Sequence, residues 1–153
     1  MVRTMIGICL VSSFTIAHSP VFAASPGDIE FLVSESTRAA NRPFSDAVRV
    51  GKMIYLSGTL GTLPGKSTLA PGGTAAETRQ ALENIKTMLI GYGTSMDKVV
   101  KCTVMLADIE DYGVMNEIYV SYFPGPKPAR STFAANGLAL GARTEIECWA
   151  VLQ

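Results

Sequence analysis

Apolar and polar residues alternate with period two along Met53-Ile54-Tyr55-Leu56-Ser57-Gly58-Thr59-Leu60, which predicts a β-strand. Ile54, Leu56 and Leu60 fall on one face, with Gly58 among them. Met53, Tyr55, Ser57 and Thr59 fall on the other. Asp46 to Val50 runs up to this segment, and the Gly51-Lys52 connection makes the two a hairpin. From Thr74 the period changes to that of a helix. Ala81, Ile85, Met88 and Leu89 share one stripe, Thr74-Ala75-Ala76-Glu77 has the form of a capping box, and Gly91 and Gly93 stop the run. Val99 to Leu106 reads as the next strand. A second helix fits Ile109 to Phe123, with Asp108 or Asp111 as cap and Tyr112, Met115, Tyr119 and Phe123 as its apolar stripe. Pro124-Gly125-Pro126-Lys127-Pro128 ends it. Phe31-Leu32-Val33 supplies a short first strand, Ser34 to Ser45 a polar loop, and Arg130 to Ala134 and Thr144 to Leu152 the last two strands.

The predicted order is β-β-β-α-β-α-β-β, an α+β fold in which two helices cover one face of a sheet. The other face carries Tyr55, Ser57 and Thr59 from one strand and Glu145, Glu147 and Trp149 from another. A sheet face holding Trp, Tyr and Met is expected to pack against another copy of the chain rather than meet water.

The N-terminus separates from this pattern. Residues 1–23 hold one early cation, Arg3, then an apolar run from Met5 to Ala17, then Val21-Phe22-Ala23. This is the layout of a secretory signal, and the run is too short to span a bilayer. An arginine-richer, amphipathic transit peptide is the second choice. The expectation is a signal peptide at 1–23, one domain at 24–153, and an exported, periplasmic or secreted product.

Composition then narrows the chemistry. The chain has 13 Lys+Arg, one of them Arg3, and 13 Asp+Glu, so the expected mature domain carries a net charge near −1. No basic stripe is present, which argues against nucleic acid as partner. The only histidine, His18, lies in the leader. Ser-His-Asp and Cys-His machinery are therefore excluded from the domain, no metal-ligand spacing is found, and no cofactor is implied. Cys102 and Cys148 both lie in apolar strand-like runs; two buried thiols are expected, with a disulfide as the alternative.

The chemistry-bearing pattern is Pro128-Ala129-Arg130-Ser131-Thr132 followed by Glu145 in Glu145-Ile146-Glu147-Cys148-Trp149. A guanidinium on a proline-bracketed segment suits planar capture of a carboxylate, and a strand-borne carboxylate suits proton transfer or activation of water. A structural ion pair is the bland alternative for Arg130, and a solvated strand edge for Glu145 and Glu147.

Those residues, with Tyr55-Leu56-Ser57-Gly58, Thr78-Arg79-Gln80-Ala81-Leu82-Glu83-Asn84-Ile85, Val99-Val100-Lys101-Cys102-Thr103-Val104 and Val114-Met115-Asn116-Glu117-Ile118-Tyr119, resemble the Rid family (reactive intermediate deaminase; YjgF/YER057c/UK114) from about Phe44 to Leu152. The resemblance implies a chorismate-mutase-like mixed β-sheet with two helices on one face, a homotrimer with ligand clefts between subunits, and hydrolysis of reactive enamines and imines such as 2-aminoacrylate/2-iminopropanoate to 2-oxo acids and ammonia. By the same resemblance Arg130 binds the substrate carboxylate, Glu145 positions or activates water, Ser57 and Gly58 line the pocket, and Asn116 lies near it. Two positions depart from the family pattern: Phe44 stands where tyrosine is common and Thr132 where cysteine is common. Losing the phenol removes one hydrogen-bonding group. The competing functions are a non-catalytic carboxylate-ligand or protein-binding trimer of the same fold, and the ribonuclease or translation-inhibitor activity of some family members, against which the near-neutral charge argues.

Overall fold

A computed structural model describes residues 28–152 of the chain. The expected leader at 1–23, with Cys9 and His18, lies outside the described residues. Strands β1 (Ile29–Leu32), β2 (Ala47–Val50), β3 (Met53–Leu56), β4 (Thr59–Leu60), β5 (Val99–Leu106), β6 (Ala129–Ala134) and β7 (Thr144–Val151) form one sheet. Its order is β1-β2-β3-β7-β5-β6, with β4 joining β7 beyond the end of β3. Only the β5–β6 pairing is parallel, so the sheet is mixed. Helices α2 (Gly73–Gly91) and α3 (Tyr112–Ser121) pack on one face, as the periodicity predicts.

The core lies between those helices and the sheet. Leu82, Ile85 and Leu89 of α2 and Met115 of α3 are fully buried against Ile54, Val104, Leu106, Ile146 and Ala150. Each such aliphatic side chain contributes roughly 1.5–3 kcal/mol by leaving water. A buried hydroxyl pair, Thr78 Oγ1 and Thr144 Oγ1 at 3.1 Å, satisfies both groups where α2 crosses β7. Asn84 of α2 donates to the carbonyls of Leu60 and Thr62, which fastens β4 to the helix.

Five local expectations are corrected. The polar segment after β1 contains a short helix, α1 (Glu35–Ala39), because the Ser34 hydroxyl caps it by accepting from Thr37 N. The capping box at Thr74 and Glu77 does not form: Gly72, at φ 121°, is the cap residue, and both Thr74 and Glu77 are buried. The Glu77 carboxylate instead accepts from Arg143 N at 2.7 Å and so holds the entry to β7. The expected second helix divides into a 3-10 turn at Ile109–Asp111, capped by the Asp108 side chain, and α3 proper. Cys102 and Cys148 are not free thiols. They are opposite each other in the β5–β7 register and are joined as a disulfide, both fully buried.

The fifth correction leaves Leu60 on the other face. Tyr55 pairs with Trp149 and Thr59 with Ile146, so β3–β4 advances four residues (55 to 59) where β7 advances three (149 to 146). The extra residue sits at Ser57–Gly58 and acts as a β-bulge does, reversing the alternation. Thr59 therefore joins the helix-side face opposite buried Ile146, and Leu60 joins the open face opposite Glu145.

Candidate active site

Arg130 stands on β6, an edge strand, in register with Cys102 of β5. Cys102 points into the core, so Arg130 shares the helix-side face and leans on α3. Tyr112, Asn116 and Tyr119 recur at spacings of four and three along α3 and present one surface to it. Arg130 Nη2 donates to the Tyr112 hydroxyl at 2.9 Å and to Asn116 Oδ1 at 2.8 Å. The guanidinium carbon also lies 4.6 Å from the Tyr119 ring centroid and 5.6 Å from that of Tyr112. Burial pushes the Tyr119 phenol up to about 12, with Arg130 pulling the other way, so Tyr119 stays neutral under ordinary conditions. Thr132 follows Arg130 on the same face, and its hydroxyl is buried with no hydrogen-bond partner among the described residues.

Glu145 stands on the opposite face. It is in register with Met105 of β5 and with Leu60 of β4, while its neighbour Ile146 is in the core. Its carboxylate lies over Gly58, where any side chain's Cβ would strike Oε1. No described side chain or N–H bonds it. Burial, and then the like charge of Glu147 two residues on, hold its pKa above the ordinary glutamate range. The approach to β7 is fixed by Arg143, whose backbone is held by Glu77 and whose guanidinium meets Asp111 Oδ2 through Nε at 2.8 Å.

Ser57 and Gly58 lie beside Glu145 at the bulge. The Ser57 hydroxyl proton goes to the Ser45 carbonyl at 2.6 Å, which secures the loop carrying Phe44. Phe44 is 48% exposed, with Arg42 over its ring at 5.9 Å. Trp149 and Tyr55 meet edge to face on the same open surface, their centroids 5.1 Å apart.

The residues expected at the site thus form two groups. Arg130, Asn116 and Thr132 lie on the helix side of β6; Glu145 and Gly58 lie at the end of the open face, with Ser57 at the bulge and Phe44 on the loop that Ser57 secures. The register sets Arg130 and Glu145 three residues and two strand spacings apart, roughly 10 Å in each direction, with the sheet between them. Cavities of about 390 and 490 Å³ lie along α2, α3 and the proline-rich segment before β6, and neither is lined by Arg130 or Glu145. Among the described residues no group of three or more His, Cys, Asp or Glu is placed to hold a metal ion, and no helix is long and apolar enough to cross a membrane. Tyr112 was visible in the sequence only as part of an apolar stripe; its spacing of four from Asn116 is the signal that places it beside Arg130.

The family model described as Endoribonuclease L-PSP matches residues 35–152. Reactive Intermediate Deaminase A, chloroplastic, of Arabidopsis thaliana is 40% identical over 141 residues, 89% of this chain and 75% of that one. The 2-iminobutanoate/2-iminopropanoate deaminase of Mus musculus is 46% identical over 113 residues, 74% of this chain and 84% of that one. The crystal structure of the E. coli YjgF gene product superposes with a TM-score of 0.73 at 31% identity, covering 81% of this chain and 99% of the other. E. coli TdcF with bound serine superposes with a TM-score of 0.68 at 29% identity, covering 72% and 89%.

These relatives correct the expectation of an exported, periplasmic or secreted protein. The Arabidopsis relative is named as chloroplastic, and the mouse enzyme comes from cells that have no periplasm. One cation, a short apolar run and small residues are compositional features, and composition alone does not identify a destination. By its matched family model, its relatives and its mixed-sheet fold, the chain belongs to the Rid (YjgF/YER057c/UK114) family of imine deaminase-like hydrolases.

Proposed function

We propose that the protein hydrolyses reactive 2-imino acids and their enamine tautomers, of the 2-iminopropanoate and 2-aminoacrylate kind, to 2-oxo acids and ammonia, in sites between the subunits of a homotrimer. The observation that carries this reading is the separation of Arg130 and Glu145 onto opposite faces of one sheet. One chain cannot bring them to one substrate. A second copy seated against the open face, where Tyr55 and Trp149 are gathered, supplies the missing half and covers that apolar surface.

The chemistry needs little equipment. The imine carbon is already electrophilic, so the site has to orient substrate and water and move a proton. Arg130 anchors the carboxylate. With the imine protonated on nitrogen, the Glu145 carboxylate takes a proton from water as the water oxygen adds to carbon, forming a neutral carbinolamine. It then returns that proton to nitrogen as the C–N bond breaks, and the carbinolamine hydroxyl proton passes to the departing ammonia, leaving ammonium and the carbonyl. A carboxyl group held above the ordinary glutamate range performs both halves of this cycle better than an ordinary one. Thr132, Asn116, Ser57, Gly58 and Phe44 line the two halves of the pocket. Neither a cofactor nor a metal has a step in this cycle.

The assay is release of ammonia and 2-oxo acid from imino acids generated in situ, unchanged protein against Arg130→Ala. Turnover is expected in the former, with kcat/KM falling by about a thousand-fold in the latter, on the scale of losing a charge-assisted bidentate anchor. Absence of arginine-dependent turnover across a panel of imino acids would overturn the assignment. The alternative, a carboxylate-binding trimer without turnover, gains support from the serine held by TdcF. It predicts arginine-dependent binding of 2-oxo acids with no ammonia release.

A further inference from the structure

Arg130 meets its surroundings through a single nitrogen. Among the described residues, both hydrogen bonds of the guanidinium leave from Nη2, one to the Tyr112 hydroxyl at 2.9 Å and one to Asn116 Oδ1 at 2.8 Å. A planar guanidinium has two edges that span a carboxylate, Nε with Nη2 and Nη1 with Nη2. Nη2 belongs to both edges, and it has two hydrogens. With one hydrogen given to Tyr112 and the other to Asn116, neither edge is free for bidentate capture, so a carboxylate has to displace one acceptor.

The two acceptors differ in what they do once displaced. Asn116 Oδ1 is a carbonyl oxygen and only accepts, so against a carboxylate it is repulsive. A phenol both accepts and donates. Tyr112 is also the more accessible partner, at 41% exposure on the first turn of α3, and its ring stays on the guanidinium whichever way its proton points. We propose that Tyr112 is a substrate-binding residue that changes role. Its hydroxyl accepts from Arg130 Nη2 in the empty site; when a carboxylate takes that edge, it turns and donates to the carboxylate as a third donor beside the Arg130 pair. Asn116 keeps the other Nη2 hydrogen in both states and holds the guanidinium plane. The ligand class is a small 2-oxo or 2-imino carboxylate, and this inference rests on the proposed anchoring role of Arg130.

The test measures binding of 2-oxobutanoate by calorimetry, and KM and kcat for imino-acid hydrolysis, in unchanged protein, Tyr112→Phe and Arg130→Lys. Tyr112→Phe keeps the ring and removes the oxygen. Its expected effect is a three- to ten-fold, order-of-magnitude weakening of 2-oxobutanoate binding and a matching rise in KM, with kcat within about two-fold. The methyl ester of 2-oxobutanoate, which lacks the charged acceptor, is expected to bind both proteins equally. A merely structural tyrosine lowers thermal stability and kcat without this selectivity. Equal or tighter 2-oxobutanoate binding by Tyr112→Phe, while Arg130→Lys weakens it, overturns the role of Tyr112 and leaves the anchor standing. Unchanged binding in Arg130→Lys overturns both.

Discussion

The two halves of the site are built in opposite ways. Around Arg130 the guanidinium is held in place: Nη2 is doubly bonded, the Tyr119 ring lies under it, and α3 supplies all three partners. Around Glu145 the carboxylate has no hydrogen-bond partner among the described residues; it is set over a glycine, half-withdrawn from water and beside another negative charge. A binding group gains from being held still before the ligand arrives, because its ordering entropy is already met. A proton-transfer group gains from being left incompletely satisfied, because hydrogen bonds to the carboxylate would lower its basicity. The contrast fits the proposed division of labour, with Arg130 as the anchor and Glu145 as the group that moves protons.

The sharpest way to break that comparison is to separate the halves genetically. Arg130→Ala and Glu145→Gln are each expected to lose most activity, Glu145→Gln by about a hundred- to ten-thousand-fold in kcat. Unfolded together and refolded as mixed trimers, the two inactive proteins are expected to recover roughly a quarter of the sites, since random pairing places an intact Arg130 opposite an intact Glu145 that often. A mixture as inactive as its parents would mean that both residues serve from one chain. Next in size is Gly58→Ala. Its methyl group meets Glu145 Oε1, and the expected result is a roughly ten- to hundred-fold fall in kcat together with about 1–3 kcal/mol of lost stability by denaturant titration. Oligomer state and 2-oxobutanoate binding on the Arg130 side should be unaffected.

The smallest effect sharpens the Glu145 side alone. A carboxyl whose folded pKa is raised is neutral at low pH and becomes an active base only as pH climbs through that raised value. The acid limb of the pH–kcat profile is therefore expected above the ordinary glutamate range. Glu147→Gln removes the like charge, lowers the Glu145 pKa and moves the limb to lower pH by less than about one unit. The same sign applies to stability: the neutral form is favoured by folding, so this contribution is present below the unfolded pKa and lost as pH rises through the folded one. A limb that stays in place would assign it to another group.

Most of the fold was legible because it is written in local periods. The α2 stripe of Ala81, Ile85 and Leu89, the β5 run and the β7 alternation each reappear as buried sets. The short helix α1 was missed because five residues show no period; only Ser34, three before Thr37, signals its start. Leu60 was assigned to the wrong face because a one-residue bulge at Ser57–Gly58 leaves the composition of the strand unchanged while reversing everything after it. Thr74 and Glu77 matched a capping box in spelling, but Glu77 is needed by Arg143 N, a partner 66 positions away. The Arg130–Glu145 motif pointed to the proposed chemistry, yet its division across the sheet depends on the register of β6 against β5 and of β5 against β7, which no local pattern encodes.

A chain unfolded with the Cys102–Cys148 bond intact is no free coil. The cross-link closes a ring across a separation of 46 residues, and within that ring lie α3, Arg130, Thr132 and Glu145, while Phe44, Ser57 and Gly58 lie outside it. On a chain-entropy model such a ring removes about 4 kcal/mol of freedom from the denatured ensemble. Even when every strand has melted, the conformational search left to Arg130 and Glu145 is thus that of a closed loop rather than of a whole chain.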